Sequence, residues 1–252
     1  PLMRLCANLS LLFADRPLPD RIVAAAIAGF AGVEAQLPYD DPAPVLRDAL
    51  ARAGVPMVSL NAPPPNWAGG PRGFAAIPGG EARFRTDLRR AVRVAEALGA
   101  PMVHLMAGEA EGAAARAAFL ANLAHAAAAH PGLTFLVEPL NPHDRPGYFL
   151  SDLGQALDVV AEVGAPNLRL LFDAYHVQRL GLGLLPAWDR ARAQVAHVQI
   201  AQAPGRHEPE AAVWAPFRDR LRADGYGGWV SAEYHPRGRT EDGLRWMRGW
   251  AG

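Results

Sequence analysis

The sequence contains no lysine, since all 25 basic residues among its 252 are arginine. This excludes chemistry that needs a lysine Schiff base, such as that of lysine-dependent aldolases and pyridoxal phosphate enzymes. Cysteine is nearly absent as well, because Cys6 is the only one. It allows neither an intrachain disulfide nor a cysteine-built zinc site, and it suits a reducing compartment. We therefore expect a cytoplasmic protein.

Signals for membranes, nucleic acid and dinucleotides are also missing. The chain has no run of about 18 apolar residues and no charged-then-apolar leader, so we expect neither a membrane span nor a signal peptide. The formal net charge is zero, which gives no overall attraction to nucleic acid or to an anionic membrane. No Gly-x-Gly-x-x-Gly follows the first apolar run, and we expect no organic cofactor.

What the sequence does contain is a regular alternation of apolar runs and longer amphipathic stretches, in eight rounds. Eight rounds in about 250 residues predict an α/β fold, a closed (β/α)8 TIM barrel, rather than an open doubly wound sheet. No linker divides the chain, so we expect a single domain over residues 1–252. The predicted strands are 2–9, 32–37, 56–60, 101–106, 133–137, 168–173, 195–201 and 229–233.

The predicted helices are 18–29, 43–53, 81–98, 111–130, 152–163, an irregular one between 175 and 193, 215–223 and 240–250. Ser151 is the expected N-cap of the fifth. The loop over 61–80, which contains Trp67, is long enough to act as a lid.

Four oxygen-bearing side chains stand at or near the ends of strands five to eight: Glu138, Asp173, Gln199 and Glu233. In a TIM barrel these ends meet on the face where the active site forms. Three converging carboxylates repel one another unless a cation joins them, and oxygen ligands select Mg2+ or Mn2+ over zinc. The four together predict a metal site, although any one acid alone is better explained as a solvated strand end or a helix N-cap.

Other polar residues on the strands are weaker candidates. Asn8 and Glu34 end strands one and two. They either line the pocket or support the residues that do, and the sequence favours neither role. His197 shares the inward face of Gln199, one layer deeper. His104 on strand four is equally explained as a core residue.

Several segments together carry a family resemblance. They are residues 5–39, 137–141 (VEPLN), 145–150 (RPGYFL), 172–178 (FDAYHVQ), 197–201 (HVQIA), 204–209 (PGRHEP), and 225–229 with Glu233 and Tyr234. In this combination the chain resembles the hydroxypyruvate isomerases, a family of xylose isomerase-like TIM barrels. The resemblance implies that Glu138, Asp173, Gln199 and Glu233 hold a divalent metal. It also implies that Glu138 and Glu233 are the catalytic proton-transfer pair.

The reaction expected of such an isomerase moves a proton between an α-hydroxy ketone and an α-hydroxy aldehyde through an enediolate, as from hydroxypyruvate to tartronate semialdehyde (2-hydroxy-3-oxopropanoate). The partner is then a small-molecule sugar acid, and Arg206 is the best candidate to bind its carboxylate. His176 either hydrogen-bonds a substrate oxygen or caps backbone at a helix start. His207 and Glu208 either contact substrate or only order their loop.

The chain departs from the family pattern in two places, which leaves the substrate open. Residues 210–213 (EAAV) replace a usual Gly-Thr-Gly-Glu segment, and His235 replaces a usual lysine. A 2-oxo-tetronate isomerase, a ketose 3-epimerase and a non-catalytic metal- or sugar-binding barrel remain alternatives, although Gln199 favours hydroxypyruvate over an epimerase. An apurinic-endonuclease-like barrel needs several His and Asp ligands and a basic face, which this neutral chain does not show. The choice of metal and the existence of a homo-oligomer are also open.

Overall fold

The computed structural model describes residues 3–63 and 72–250, and their strands form one parallel sheet that curls into a barrel. The strands are β1 (Arg4–Asn8), β2 (Gly32–Glu34), β3 (Ser59–Ala62), β4 (Met102–Leu105), β5 (Thr134–Val137), β6 (Leu168–Asp173), β7 (Val195–Ile200) and β8 (Trp229–Ala232). Their order in the sheet is β2-β1-β8-β7-β6-β5-β4-β3. The two ends of this sheet approach each other, because Val58 N donates to Val33 O at 2.7 Å and Val33 N donates to Pro56 O at 3.0 Å.

Helices surround the barrel on its outer side. In the described ranges they are α1 (Leu18–Ile27), α2 (Ala43–Ala53), α3 (Glu81–Leu98), α4 (Gly112–Ala129), α5 (Leu153–Val163), α6 (Ala174–Arg179), α7 (Leu184–Ala191), α8 (Ala211–Ala223) and a 3-10 helix (Thr240–Gly249). None of these helices combines the length and the apolar character needed to cross a membrane. The alternation of strands and helices confirms the predicted TIM barrel.

The barrel interior changes from apolar to polar along the strands. An apolar plug fills its amino-terminal part with five side chains that are 7% exposed or less: Cys6, Val58, Met102, Leu136 and Leu171. Strand side chains alternate between the two faces, so the residue two positions further on points inward again. On four of these strands that residue is polar and buried: Asn8, His104, Glu138 and Asp173. Polar side chains therefore collect at the carboxyl ends of the strands.

Aromatic packing fixes the helices that follow β6 and β7. Phe172 stacks on Phe217 with ring centroids 5.9 Å apart and meets Trp188 edge to face at 5.6 Å. Trp214 is fully buried and meets Phe217 at 6.0 Å. These contacts hold α7 and α8 against the part of the sheet that carries Asp173.

Two predicted element positions were wrong for identifiable reasons. Strand three begins at Ser59 instead of residue 56, because Pro56 has no N–H and Met57 makes only an isolated bridge to Val33. The irregular helix between 175 and 193 is two helices, α6 and α7. They are separated at Gly181, whose φ of 76° is left-handed backbone that favours glycine.

The last two predicted helices also differ from the structure. The helix predicted over 215–223 begins earlier, at Ala211, and the last is a 3-10 helix that contains Gly243 and Gly249, both weak α-helix formers. In the loop predicted over 61–80, residues 64–71, and Trp67 with them, lie outside the described residues. Ala76 N donates to Ala107 O at 2.8 Å, so the later part of this loop packs against the end of β4.

The N-cap of α5 is Asp152, so the prediction of Ser151 was wrong. Gln155 N donates to Asp152 Oδ1 at 2.9 Å, and Ser151 N donates to Gln155 Oε1 at 3.2 Å. The side chains of Asp152 and Gln155 therefore each accept a hydrogen bond from a backbone N–H at the helix start, in an arrangement related to a capping box.

Asp152→Ala should lower the free energy of unfolding by about 1 kcal/mol, because it leaves the Gln155 N–H without its acceptor. Urea denaturation followed by circular dichroism measures the change. Ser151→Ala is the matched control and should change stability by less than about 0.5 kcal/mol, since only the Ser151 backbone is used. A larger loss for Ser151→Ala than for Asp152→Ala would contradict the assignment.

Candidate active site

The four side chains predicted at the strand ends lie at the same end of the barrel. Glu138 directly follows β5, Asp173 ends β6, Gln199 lies in β7 opposite Asp173, and Glu233 directly follows β8. Their exposed fractions are only 6%, 2%, 6% and 5%. Four polar groups on neighbouring strands are thus withdrawn from bulk water into one polar centre.

Arg206 links two of these carboxylates. Its Nη2 lies 3.2 Å from Asp173 Oδ2 and 3.2 Å from Glu233 Oε2. The guanidinium stacks over the Tyr175 ring at 4.8 Å, and the Arg206 backbone has a φ of 56°, a strained value for a non-glycine residue. Paired backbone hydrogen bonds between Gln202 and His207 close the loop around it. The loop therefore holds a cation against the acidic centre.

His176 connects Asp173 to Glu138. Its Nε2 lies 3.6 Å from Asp173 Oδ2 and 3.8 Å from Glu138 Oε1. Its Nδ1 accepts a hydrogen bond from Asn141 N at 3.0 Å, so the ring hydrogen is on Nε2. Burial lowers the pKa of His176 to about 4, which makes it a neutral donor near pH 7. His176 thus contacts backbone and lies beside two of the acids, and its hydrogen bond to a substrate oxygen stays a prediction.

The crowding of carboxylates changes their acidity. Burial raises the pKa of Glu138 well above its usual range, and the charges of Asp173 and Glu233 raise it further. Burial also raises the pKa of Glu233 to about 8, although Arg206 acts in the opposite direction. Perturbed carboxyl groups of this kind, gathered in a buried polar centre, are typical of catalytic sites.

The donor atoms of the centre fit a hard divalent cation. Within the described ranges, one group of acidic and histidine side chains brings its ligand atoms within 4.8 Å of one another: Glu138, Asp173 and His176. The Nε2 hydrogen of His176 excludes that nitrogen as a ligand in this tautomer. Gln199 Oε1, in contrast, is buried and has no hydrogen-bond partner in the described part of the chain. Carboxylate oxygens with one free amide oxygen form a donor set that suits Mg2+ or Mn2+.

A second layer of hydrogen bonds lies beneath this centre. Glu34 Oε1 accepts from Gln199 Nε2 at 2.8 Å and from Asn8 Nδ2 at 2.9 Å, and Glu34 Oε2 lies 2.6 Å from His197 Nε2. Glu34 therefore has a supporting position behind the predicted ligands. His104 Nδ1 lies 3.6 Å from Glu138 Oε2, and burial lowers the pKa of His104 to about 4.

Sequence reasoning missed three residues of the centre. Gln36 Nε2 donates to Glu233 Oε1 at 2.5 Å, Asn141 holds His176, and Tyr175 carries the Arg206 guanidinium. Gln36 had a usable signal, because it lies two residues after Glu34 and strand alternation directs both to the same face. Loop contacts such as those of Asn141 carry no comparable periodic signal.

His207 and Glu208 lie further from the centre, against the loop that follows β8. His207 Nδ1 lies 2.9 Å from His235 O, and Arg237 N donates to Glu208 Oε1 at 2.9 Å. Their position favours ordering of the loop over direct contact with the acidic groups. A contact of either residue with substrate stays a prediction.

An eight-stranded parallel barrel with an acidic centre at the carboxyl ends of its strands defines a TIM-barrel protein of enzymatic type. The family model for the xylose isomerase-like TIM barrel matches residues 22–250, and the chain belongs to that family. A 2-oxo-tetronate isomerase of Cupriavidus necator is 42% identical over 259 residues, which cover 99% of each chain. The hydroxypyruvate isomerase of Escherichia coli is 36% identical over 255 residues, covering 98% of each.

A solved structure is similarly close to this chain. The crystal structure of a protein described as an AP endonuclease, family 2, from Brucella melitensis superposes with a TM-score of 0.93 and 40% identity over the full length of both chains. Together these comparisons confirm the resemblance to the hydroxypyruvate isomerase family and the prediction of an enzyme of the isomerase class.

Glu138→Gln should stabilise the metal-free protein. Because the pKa of Glu138 is raised on folding, its ionisation opposes folding increasingly as pH rises above its unfolded value of about 4.3. We expect the variant to melt about 2–4 °C above the wild type at pH 8, with a smaller difference at pH 5. Calorimetry in the presence of a chelator measures both values.

Glu162→Gln is the control for this experiment, since it removes an exposed carboxylate that pairs with Arg116 on the surface. It should shift the melting temperature by less than about 2 °C. Added Mn2+ should stabilise the wild type and have little effect on Glu138→Gln. A metal-free Glu138→Gln protein that melts below the wild type at pH 8 would disprove the crowding of these carboxylates.

Proposed function

We propose that this protein interconverts 2-oxo-3-hydroxy acids and 2-hydroxy-3-oxo acids of three or four carbons, using one bound Mg2+ or Mn2+. Hydroxypyruvate, which yields 2-hydroxy-3-oxopropanoate, is the three-carbon member of this class, and 2-oxo-tetronate is the four-carbon member. The observation that carries the proposal is the burial of Glu138 and Glu233 in one centre with raised pKa values of both. The activities named for the two curated relatives support the substrate class.

Glu138 and Glu233 have the proton-transfer roles in this proposal. One carboxylate takes the proton from C3 and leaves an enediolate, and the other, protonated, gives a proton to C2. The hydroxyl proton moves from the C3 oxygen to the C2 oxygen, so protons and electrons balance. In the metal-free site burial raises the pKa of Glu233 to about 8, so this carboxyl holds a proton more readily than an exposed glutamate does. The reverse reaction exchanges the two roles.

The remaining residues hold and orient the substrate. A divalent ion, when bound by Glu138, Asp173, Glu233 and Gln199, would polarise the carbonyl group and stabilise negative charge on the substrate oxygens. The neutral His176 directs its Nε2 hydrogen towards the same centre, where it can donate to a substrate oxygen.

Arg206 is the proposed partner of the substrate carboxylate. Its Nη1 makes no hydrogen bond with the described residues, while Nη2 and Nε hold the guanidinium against Asp173 and Glu233. Stacking on Tyr175 helps to hold the guanidinium in place, and the free Nη1 can donate to a substrate carboxylate.

Other functions have less support from this centre. In the described ranges, one group of acidic and histidine ligand atoms lies close together, that of Glu138, Asp173 and His176. The histidines nearby are committed: His197 to Glu34, and His176 to Asn141. A multinuclear endonuclease centre needs several histidine ligands, which these contacts disfavour. A neutral ketose substrate of an epimerase would leave Arg206 without a carboxylate to bind.

Glu233→Gln should lower kcat by about 10²-fold or more on hydroxypyruvate or 2-oxo-tetronate, because an amide cannot exchange a proton with carbon. The assay uses Mg2+ in heavy water, with NMR detection of product and of deuterium at C2 and C3. Deuterium incorporation by the wild type, and its loss in Glu233→Gln, would support the enediolate route. Turnover is compared at saturating Mg2+, with melting temperature and Mn2+ affinity measured alongside, so that a lost proton transfer is separated from weaker metal binding or a folding defect. A Glu233→Gln protein with wild-type turnover would remove Glu233 from the proposed pair.

Arg206→Ala should lower kcat/KM about 10–100-fold more for the acidic substrates than for a neutral ketose such as fructose, because only the acids lose a charge-assisted contact. Arg206→Lys is the matched variant, and it should recover part of the loss because it keeps the charge without the planar fork. Steady-state kinetics on both substrate types provides the comparison. Equal losses on acids and ketoses would disprove the carboxylate-binding role.

A further inference from the structure

The side-chain amide of Gln199 has one end fixed and one end open. Its Nε2 donates to Glu34 Oε1 at 2.8 Å, whereas its Oε1 is buried without a hydrogen-bond partner in the described part of the chain. The two ends of an amide have almost the same shape and differ in hydrogen bonding. The partner at one end therefore decides which atom the other end presents to the acidic centre.

Glu34 has its own position fixed from two other strands. It ends β2 and is 2% exposed. Asn8 Nδ2 from β1 donates to its Oε1 at 2.9 Å, and His197 Nε2 from β7 lies 2.6 Å from its Oε2. An ionised carboxylate held in this way only accepts hydrogen bonds, so Gln199 must turn its NH2 group towards Glu34.

We propose that Glu34 is a positioning residue that orients the Gln199 amide, so that the oxygen and not the nitrogen of the amide faces Glu138, Asp173 and Glu233. An amide nitrogen turned to that centre would direct two hydrogens at a cation and supply no ligand. The inference rests on the proposed function, because a cation in the centre gives this orientation its use. Glu34 itself touches neither the substrate nor the ion in this proposal.

Orientation and simple structural support predict different outcomes when position 199 is changed to glutamate. A glutamate has oxygen at both ends, so it needs no partner to direct its oxygen towards the centre. Glu34→Leu should therefore weaken Mn2+ binding about 10–100-fold when residue 199 is Gln. In a Gln199→Glu background, Glu34→Leu should leave Mn2+ binding unchanged or strengthen it, because it also removes a neighbouring like charge.

Titration calorimetry with Mn2+ alone, on wild type, Glu34→Leu, Gln199→Glu and the double variant, measures these four affinities. Glu34→Gln is the conservative variant and should bind within a few-fold of wild type. Its amide oxygen can still accept from Gln199 if its NH2 group faces His197, because His197 can then carry its hydrogen on Nδ1, which has no hydrogen-bond partner among the described residues, and accept at Nε2. Asp87→Leu is the matched control, since it removes another buried carboxylate, one that pairs with Arg83 and Arg90 on α3, and should not change Mn2+ affinity.

A second readout does not depend on metal. Selective 15N labelling of the six glutamines gives side-chain amide signals, and the Gln199 pair is identified by its loss in Gln199→Glu. In metal-free wild type the Gln199 NH2 should be shifted downfield and exchange slowly with solvent, because it donates to a buried carboxylate. Both properties should be lost in Glu34→Leu and largely kept in Glu34→Gln.

Three results would overturn the inference: unmoved Gln199 amide signals in Glu34→Leu, wild-type Mn2+ affinity in that variant, or an equal loss of affinity from Glu34→Leu in both backgrounds. Failure of the proposed function has a different signature. A wild-type protein that binds Mn2+ but exchanges no deuterium into the sugar acids would refute the isomerase reaction. In that case the Mn2+ affinities and the amide signals would still test whether Glu34 orients Gln199.

Discussion

The rest of the site depends on the electrostatic repulsion between buried carboxylates. Glu138, Asp173 and Glu233 are withdrawn almost completely from water at one end of the barrel. The Arg206 guanidinium pairs with two of them, while burial, and after it the charges of Asp173 and Glu233, raise the pKa of Glu138. Because the acids are buried and repel one another, binding of a cation or of a proton lowers the free energy of the centre. Such a centre suits both metal binding and proton transfer.

The barrel sustains this unfavourable arrangement because the surroundings are rigid and specific. An apolar plug that includes Leu136 and Leu171 fills the barrel below the acids, and Glu138 and Asp173 lie two residues after these two leucines. Around the rim, polar chains of contacts orient the groups that face inward: Tyr175 donates to Asp144, Asp144 accepts from Asn141, and Asn141 donates to His176. The favourable packing of the core thus offsets the unfavourable free energy of burying like-charged carboxylates at the site.

Prediction from sequence succeeded where periodicity carries the information. A buried parallel strand reads as an apolar run, and an acid at its end, such as Glu138 or Glu233, is visible without knowledge of any neighbour. Helix boundaries failed where short-range chemistry competes, as at Ser151 and Asp152, because both are good N-caps and only the position of Gln155 decides between them. The prediction also missed the 3-10 helix and the break at Gly181, because short-range backbone preferences decide both.

The sequence by itself determined the barrel, the absence of lysine chemistry and the four oxygen-bearing side chains at the strand ends, because each follows from composition or from local alternation. The tertiary structure alone decided how those groups are used. The pairing of Arg206 with Asp173 and Glu233, the tautomer of His176 and the orientation of the Gln199 amide depend on contacts between residues that are distant in the chain. Hydrogen-bond direction and charge compensation are properties of atoms that meet in space, and no local pattern of residues records them.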